Sequence, residues 1–128
     1  MDRRPRDLQP LGMLASGRLD IEELRRSQDQ LDVPTRRLVS QYLRSGTIII
    51  PLMSYTADVL GDKFGVSGGS AIVSDGVFYW RGDAPDYVLH YGIGLDDAAV
   101  DHMRRQGWAA GPLPPDAVDE LDHYFANR

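Results

Sequence analysis

Residues 71–80 read Ala-Ile-Val-Ser-Asp-Gly-Val-Phe-Tyr-Trp, with Asp75-Gly76 between two runs of β-branched and aromatic residues. Asp-Gly tolerates the positive φ angles of a tight turn whose twist matches two antiparallel strands, so this spacing predicts a hairpin. Alternation along the second strand sends Val77 and Tyr79 to one face and Phe78 and Trp80 to the other. With large side chains on both faces, either both are covered or one is a binding surface.

The flanking segments suit a small α+β domain. Residues 1–18 carry Pro5, Pro10, Gly12 and Gly17 without sustained periodicity and read as a flexible N-terminal arm. Residues 19–128 read as one α+β domain. Asp20 suits the N-cap of a first helix, with Glu22 and Glu23 favourable in its first turn. Pro34 opens a second helix, where Leu38, Val39, Tyr42 and Leu43 form an apolar face, and Gly46 stops it. Residues 47–53 read as a strand in which Pro51 marks an edge or a bulge. Residues 54–68 read mostly as loop. Asp83 and Asp96 suit the caps of two further helices, the second ending at Gly107 with Trp108 folded back. A last helix carries Val118, Leu121 and Phe125 on one face. Strands grouped between helices argue for a small antiparallel sheet of about three strands, packed with N-terminal and C-terminal helices.

The chain's 128 residues can bury a core without cross-links, and 42% apolar against 26% charged residues is ordinary for a folded domain. Absence of cysteine removes disulfides, thiolate metal sites and thiol nucleophiles together. The longest apolar stretch, residues 48–53, is far too short to span a membrane, and the basic start lacks the apolar core of a secretory signal. A cytoplasmic protein with no membrane partner is expected. Charge is uneven: residues 1–46 carry nine arginines against seven acidic residues, whereas residues 47–128 carry five basic against twelve acidic. The acidic segment repels phosphate backbones and attracts basic surfaces, which disfavours nucleic acid and favours a basic protein partner.

Motifs with catalytic meaning are thin. "GVSGGS" at 65–70 has the glycines of a phosphate loop but lacks the lysine and runs into a strand. "RGD" at 81–83 is a three-letter match better read as a turn into a helix. The serines sit in no nucleophile elbow. Asp86 with His90 and Asp119 with His123 are four apart, so each pair shares one helix face. Two ligands per helix do not make a metal site, and no metal or cofactor is expected. Tyr79, Asp86, Tyr87 and His90, joined by Asp97 and Asp101, are the candidate partner-binding residues, because exposed tyrosines anchor interfaces and carboxylates pair with a cationic partner. The alternative is a small enzyme or ligand-binding domain whose pocket, between sheet and helices, is lined by Tyr79, Tyr87, His90 and His102. A homo-oligomer is compatible with either.

Residues 68–108, about a third of the chain, carry a resemblance. Ser74-Asp75-Gly76, Trp80, the Tyr87-Val88-x-x-Tyr91 helix, Leu95-Asp96, His102 and Gly107-Trp108 resemble a pattern in small actinobacterial proteins similar to immunity partners of polymorphic toxins. The chain departs from that pattern at Arg81-Gly82, in place of a proline turn, and at Asp86, in place of a second tyrosine. The resemblance implies an immunity-type inhibitor that occludes a basic bacterial toxin.

Overall fold

The computed structural model describes residues 8–127. The elements are β1 (Gln9–Pro10), a 3-10 helix (Gly12–Ala15), α1 (Ile21–Arg26), α2 (Val33–Arg44), β2 (Thr47–Ile50), β3 (Tyr55–Ala57), β4 (Gly65–Ser67), β5 (Ile72–Ser74), β6 (Phe78–Arg81), α3 (Ala84–Tyr91), α4 (Asp97–Arg105) and α5 (Pro115–Ala126). Four strands form a mixed sheet in the order β1-β6-β5-β2, and β3 with β4 forms a separate antiparallel pair. This is the small α+β fold that the alternating hairpin and grouped helices predict.

The hairpin forms one residue later than Asp-Gly composition suggests. Ser74 pairs with Tyr79 and Val73 with Trp80, so Gly76 and Val77 occupy the centre of the turn. Asp75 is responsible: its Oδ1 accepts the N–H groups of Val77 at 2.8 Å and Phe78 at 2.7 Å. That side-chain turn holds Asp75 at the entry position and leaves Gly76 as the residue with φ of 91°. Face assignment follows the expected alternation. Trp80 and Phe78 join the main core with Tyr42, Leu43, Tyr87, Val88 and Met103, whereas Tyr79 joins a second cluster with Ile49, Leu121 and Phe125. Helices α2 and α3 cover one face of the sheet and α5 the other. Burial of each of the larger side chains contributes on the order of 2–3 kcal/mol before chain entropy is subtracted.

Two expectations need correction. The segment read as an arm is part of the fold from Leu8 onward. Gln9 N–H donates to Val77 O at 2.9 Å, and Leu11 N–H donates to Tyr79 O at 2.9 Å, adding β1 parallel to β6. Leu11 and Leu14 are buried in the main core. They lie three residues apart, the period of a 3-10 turn, which is too short to register as helical amphipathicity. The arm's first seven residues lie outside the described residues. Residues 54–68 are likewise not mostly loop: Tyr55 pairs with Ser67 and Ala57 with Gly65. Three-residue strands with glycine in one of them carry too little alternation to read.

Capping also divides. Asp20 accepts from Glu23 N–H at 3.1 Å and Asp32 from Thr35 N–H at 2.9 Å, both as N-caps. Asp83 and Asp96 make no side-chain cap. Asp83 is instead buried and accepts from Nε and Nη2 of Arg81, at 2.8 and 2.9 Å, and from Thr56 Oγ1 at 2.9 Å. Arg81 Nη1 donates onward to the carbonyls of Ser16 and Gly17, at 3.1 and 3.3 Å. One buried ion pair thereby joins the N-terminal segment, the β3–β4 pair and the start of α3.

Candidate functional site

Three polar side chains converge where the hairpin turn meets α2 and α4. Asp75 comes from the turn, Tyr42 from the last turn of α2, and His102 from the middle of α4. Asp75 Oδ2 accepts the Tyr42 hydroxyl and lies 3.1 Å from His102 Nε2. The Asp75 side chain is only 3% exposed. Both of its oxygens are occupied, Oδ1 by backbone and Oδ2 by side chains. A carboxylate only accepts, so His102 donates from Nε2. No described hydrogen bond engages Nδ1, and no buried side-chain nitrogen lacks a partner among the described residues, so Nδ1 meets solvent. Burial, and then the Asp75 carboxylate, raises the Tyr42 hydroxyl above its ordinary range, which keeps it a donor.

These groups line a cleft of about 160 Å³ with Val77, Gln106, Ala110 and Gly111. Its rim is fixed by a strap, residues 108–113. Gln41 Nε2 donates to Trp108 O at 3.1 Å, Ala110 N–H to Ser45 Oγ at 2.8 Å and Leu113 N–H to Thr47 Oγ1 at 3.2 Å. Trp108 folds back as expected, its N–H donating to Met103 O at 3.0 Å with φ of 62°. An aspartate-held histidine with one free ring nitrogen can take a proton from water or from a ligand group. No serine hydroxyl is among its partners in the described residues, so this is not a nucleophile–base pair.

The expected site residues fall elsewhere. Tyr87 is fully buried, which removes it as a partner contact: it packs edge-on to Phe64, and its hydroxyl accepts Val59 N–H at 3.0 Å. Tyr79 is half-buried and packs against Phe125 across the sheet's other face. His90 stacks on Phe64 with ring centroids 5.5 Å apart. Asp86 pairs with Arg44 of α2 at 2.9 Å. Asp97 and Asp101 are exposed on α4. The pocket expected from Tyr79, Tyr87, His90 and His102 is not assembled: of the four, only His102 lines the cleft. The spacing Asp86–His90 does not produce a joint site either. Among the described residues, no three His, Asp or Glu side chains gather as a metal site, and no helix is long and apolar enough to cross a membrane. Tyr42 and Asp75 went unrecognised as partners of His102 because they lie 60 and 27 residues from it, distances with no periodic signature.

No protein-family model, curated protein or solved structure matches this chain.

Proposed function

We propose that the chain is a protein-binding module, an immunity-type inhibitor that occludes a basic bacterial toxin in the cytoplasm. The observation that carries this reading is the outward acidic surface of the last two helices. Asp97 and Asp101 on α4, and Asp116, Asp119, Glu120 and Asp122 on α5, are all exposed. Among the described residues, the Asp101–Arg104 pair is the one ion pair that any of the six makes. Carboxylates left uncompensated within the chain attract a cationic partner and accelerate its approach. Since Tyr87 is core and Tyr79 packs on Phe125, steering by charge carries more of this reading than aromatic anchoring does.

The test is capture of a partner from the host's lysate at low and high salt, followed by titration of the purified partner. A stoichiometric basic protein, released at high salt, is expected. Replacing Asp97 and Asp101 by lysine together should slow its association by about tenfold. Unchanged association would remove the reading.

A second reading rests on the Asp75–His102 contact and its open cleft: a small ligand-binding or proton-transfer site. It ranks behind because about 160 Å³ is below the roughly 300–1,000 Å³ of ordinary ligand pockets. A thermal-shift screen of small polar molecules tests it. A hit that survives in the wild type and disappears in His102→Ala would move this reading to the front.

A further inference from the structure

We infer that the cavity between the 3-10 helix, α1 and the start of α4 holds an arginine side chain of the basic partner. This rests on the inhibitor reading and names the contact that anchors the partner. The cavity encloses about 280 Å³. That is at the lower end of ligand pockets and suits one long side chain.

Its lining divides by chemistry. Leu11, Phe78, Leu95 and Ala99 supply apolar wall. Leu11 and Ala99 are buried in the main core, and Phe78 and Leu95 pack against it, so this wall is held in place. The polar side chains of the lining are Glu23, Gln30 and Asp96. Among the described residues, neither carboxylate makes an ion pair or accepts a hydrogen bond, although Asp96 stands at the cap position of α4. Gln30 turns its Nε2 toward Arg26 O, at 3.5 Å, and no described donor meets its Oε1. Gly94 leaves room for that amide, because a Cβ there would collide with Oε1. Three acceptors thus border an apolar slot in which no side chain donates to them.

This chemistry selects the occupant. A guanidinium carries five N–H donors and no acceptor, in a planar fork that serves acceptors from more than one element. Its alkyl stem lies along apolar wall while the charged head meets carboxylates. Both carboxylates sit at helix starts, but each helix dipole offsets only about half a charge, so the rim stays negative. Asp97 follows Asp96 directly and Asp101 lies one turn further along α4, both exposed, so the slot adjoins the surface that steers the partner. Steering governs how fast a partner arrives, whereas an arginine seated in a pocket governs how slowly it leaves.

Nuclear magnetic resonance titration with N-acetyl-arginine amide, against the neutral and similarly shaped N-acetyl-citrulline amide, tests the slot without the partner. The arginine compound should shift the backbone amide signals of Met13, Leu95 and Asp96 with an affinity on the order of millimolar. The citrulline compound should not. Glu23→Gln combined with Asp96→Asn should abolish the shifts and leave the melting temperature unchanged, since neither carboxylate bonds within the described chain. Absent shifts, equal shifts from the citrulline compound, or shifts that survive in the double variant each overturn the inference. With the captured partner, the same double variant should raise the dissociation rate by about tenfold, whereas lysine at positions 97 and 101 acts mainly on association. A captured partner whose dissociation is unchanged overturns the arginine anchor and leaves the inhibitor reading standing. Shifts in a chain that captures no basic protein remove the inhibitor reading, and with it the partner as the slot's occupant.

Discussion

Asp75 Oδ2 and His102 Nε2 lie 3.1 Å apart, joining the hairpin turn to α4 beneath the strap, and the same oxygen accepts the Tyr42 hydroxyl. One buried carboxylate thus sets the hairpin register, orients an imidazole and anchors α2. Its removal should be felt in all three places. Asp75→Asn cannot accept from every donor that the carboxylate serves, and should cost about 2–3 kcal/mol in urea denaturation. Tyr42→Phe should cost about 1 kcal/mol. Because both act on one network, the double variant should lose less than the two separate losses combined.

The Arg81–Asp83 pair should behave as a unit. The Asp83 side chain is 1% exposed, so Arg81→Met leaves a buried carboxylate without its cation, at a cost of about 3–5 kcal/mol. Asp83→Leu should cost about as much through the stranded guanidinium. The double variant should be more stable than either single one predicts by addition. A denaturation cycle in which the two effects simply add would show that the pair is not coupled.

Gly46 is constrained by space. A Cβ there would lie 2.5 Å from Trp80 Cζ2 and 2.8 Å from Val73 Cγ1. The Trp80 ring cannot retreat freely, because its Nε1 donates to Leu43 O at 3.1 Å. Gly46→Ala should therefore destabilise by about 1–3 kcal/mol, the cost of overpacking, despite alanine's lower entropy in the unfolded chain. Thermal unfolding followed by circular dichroism measures this.

Stability should fall at both ends of the pH scale through the Asp58–Tyr91 contact. Burial works against the Asp58 carboxylate, but hydrogen bonds from the Tyr91 hydroxyl and from the N–H groups of Lys63 and Leu60 outweigh it, and its pKa is lowered. That contribution is present above the unfolded carboxyl value of about 3.9 and disappears as pH falls through the lower folded value. Burial, and then Asp58, raises the Tyr91 hydroxyl, as burial and Asp75 raise Tyr42. Those contributions are present below about pH 10 and disappear as pH rises through the folded values. Denaturant midpoints measured against pH should form a plateau between these limits. Tyr91→Phe should flatten both shoulders, and an unchanged profile would remove the contact from the account.

Patterns confined to a few neighbouring residues determined much of this molecule from the chain alone. Alternation placed Tyr79 and Trp80 on opposite faces, Asp20 and Pro34 marked helix starts, and Gly107-Trp108 marked a helix end that folds back. These are local rules, and each acts within about one turn or one strand. Tertiary structure decided what depends on contacts distant along the chain. It brought Tyr42, Asp75 and His102 together, buried Tyr87, turned Asp83 from a cap into the partner of Arg81, and recruited Leu11 and Leu14 into the core. Burial and ion pairing reward whichever groups the topology makes adjacent, and that adjacency has no period in the sequence. Three-residue β4 and two-residue β1 exist for the same reason: their hydrogen-bond partners, more than their own side chains, hold them as strands.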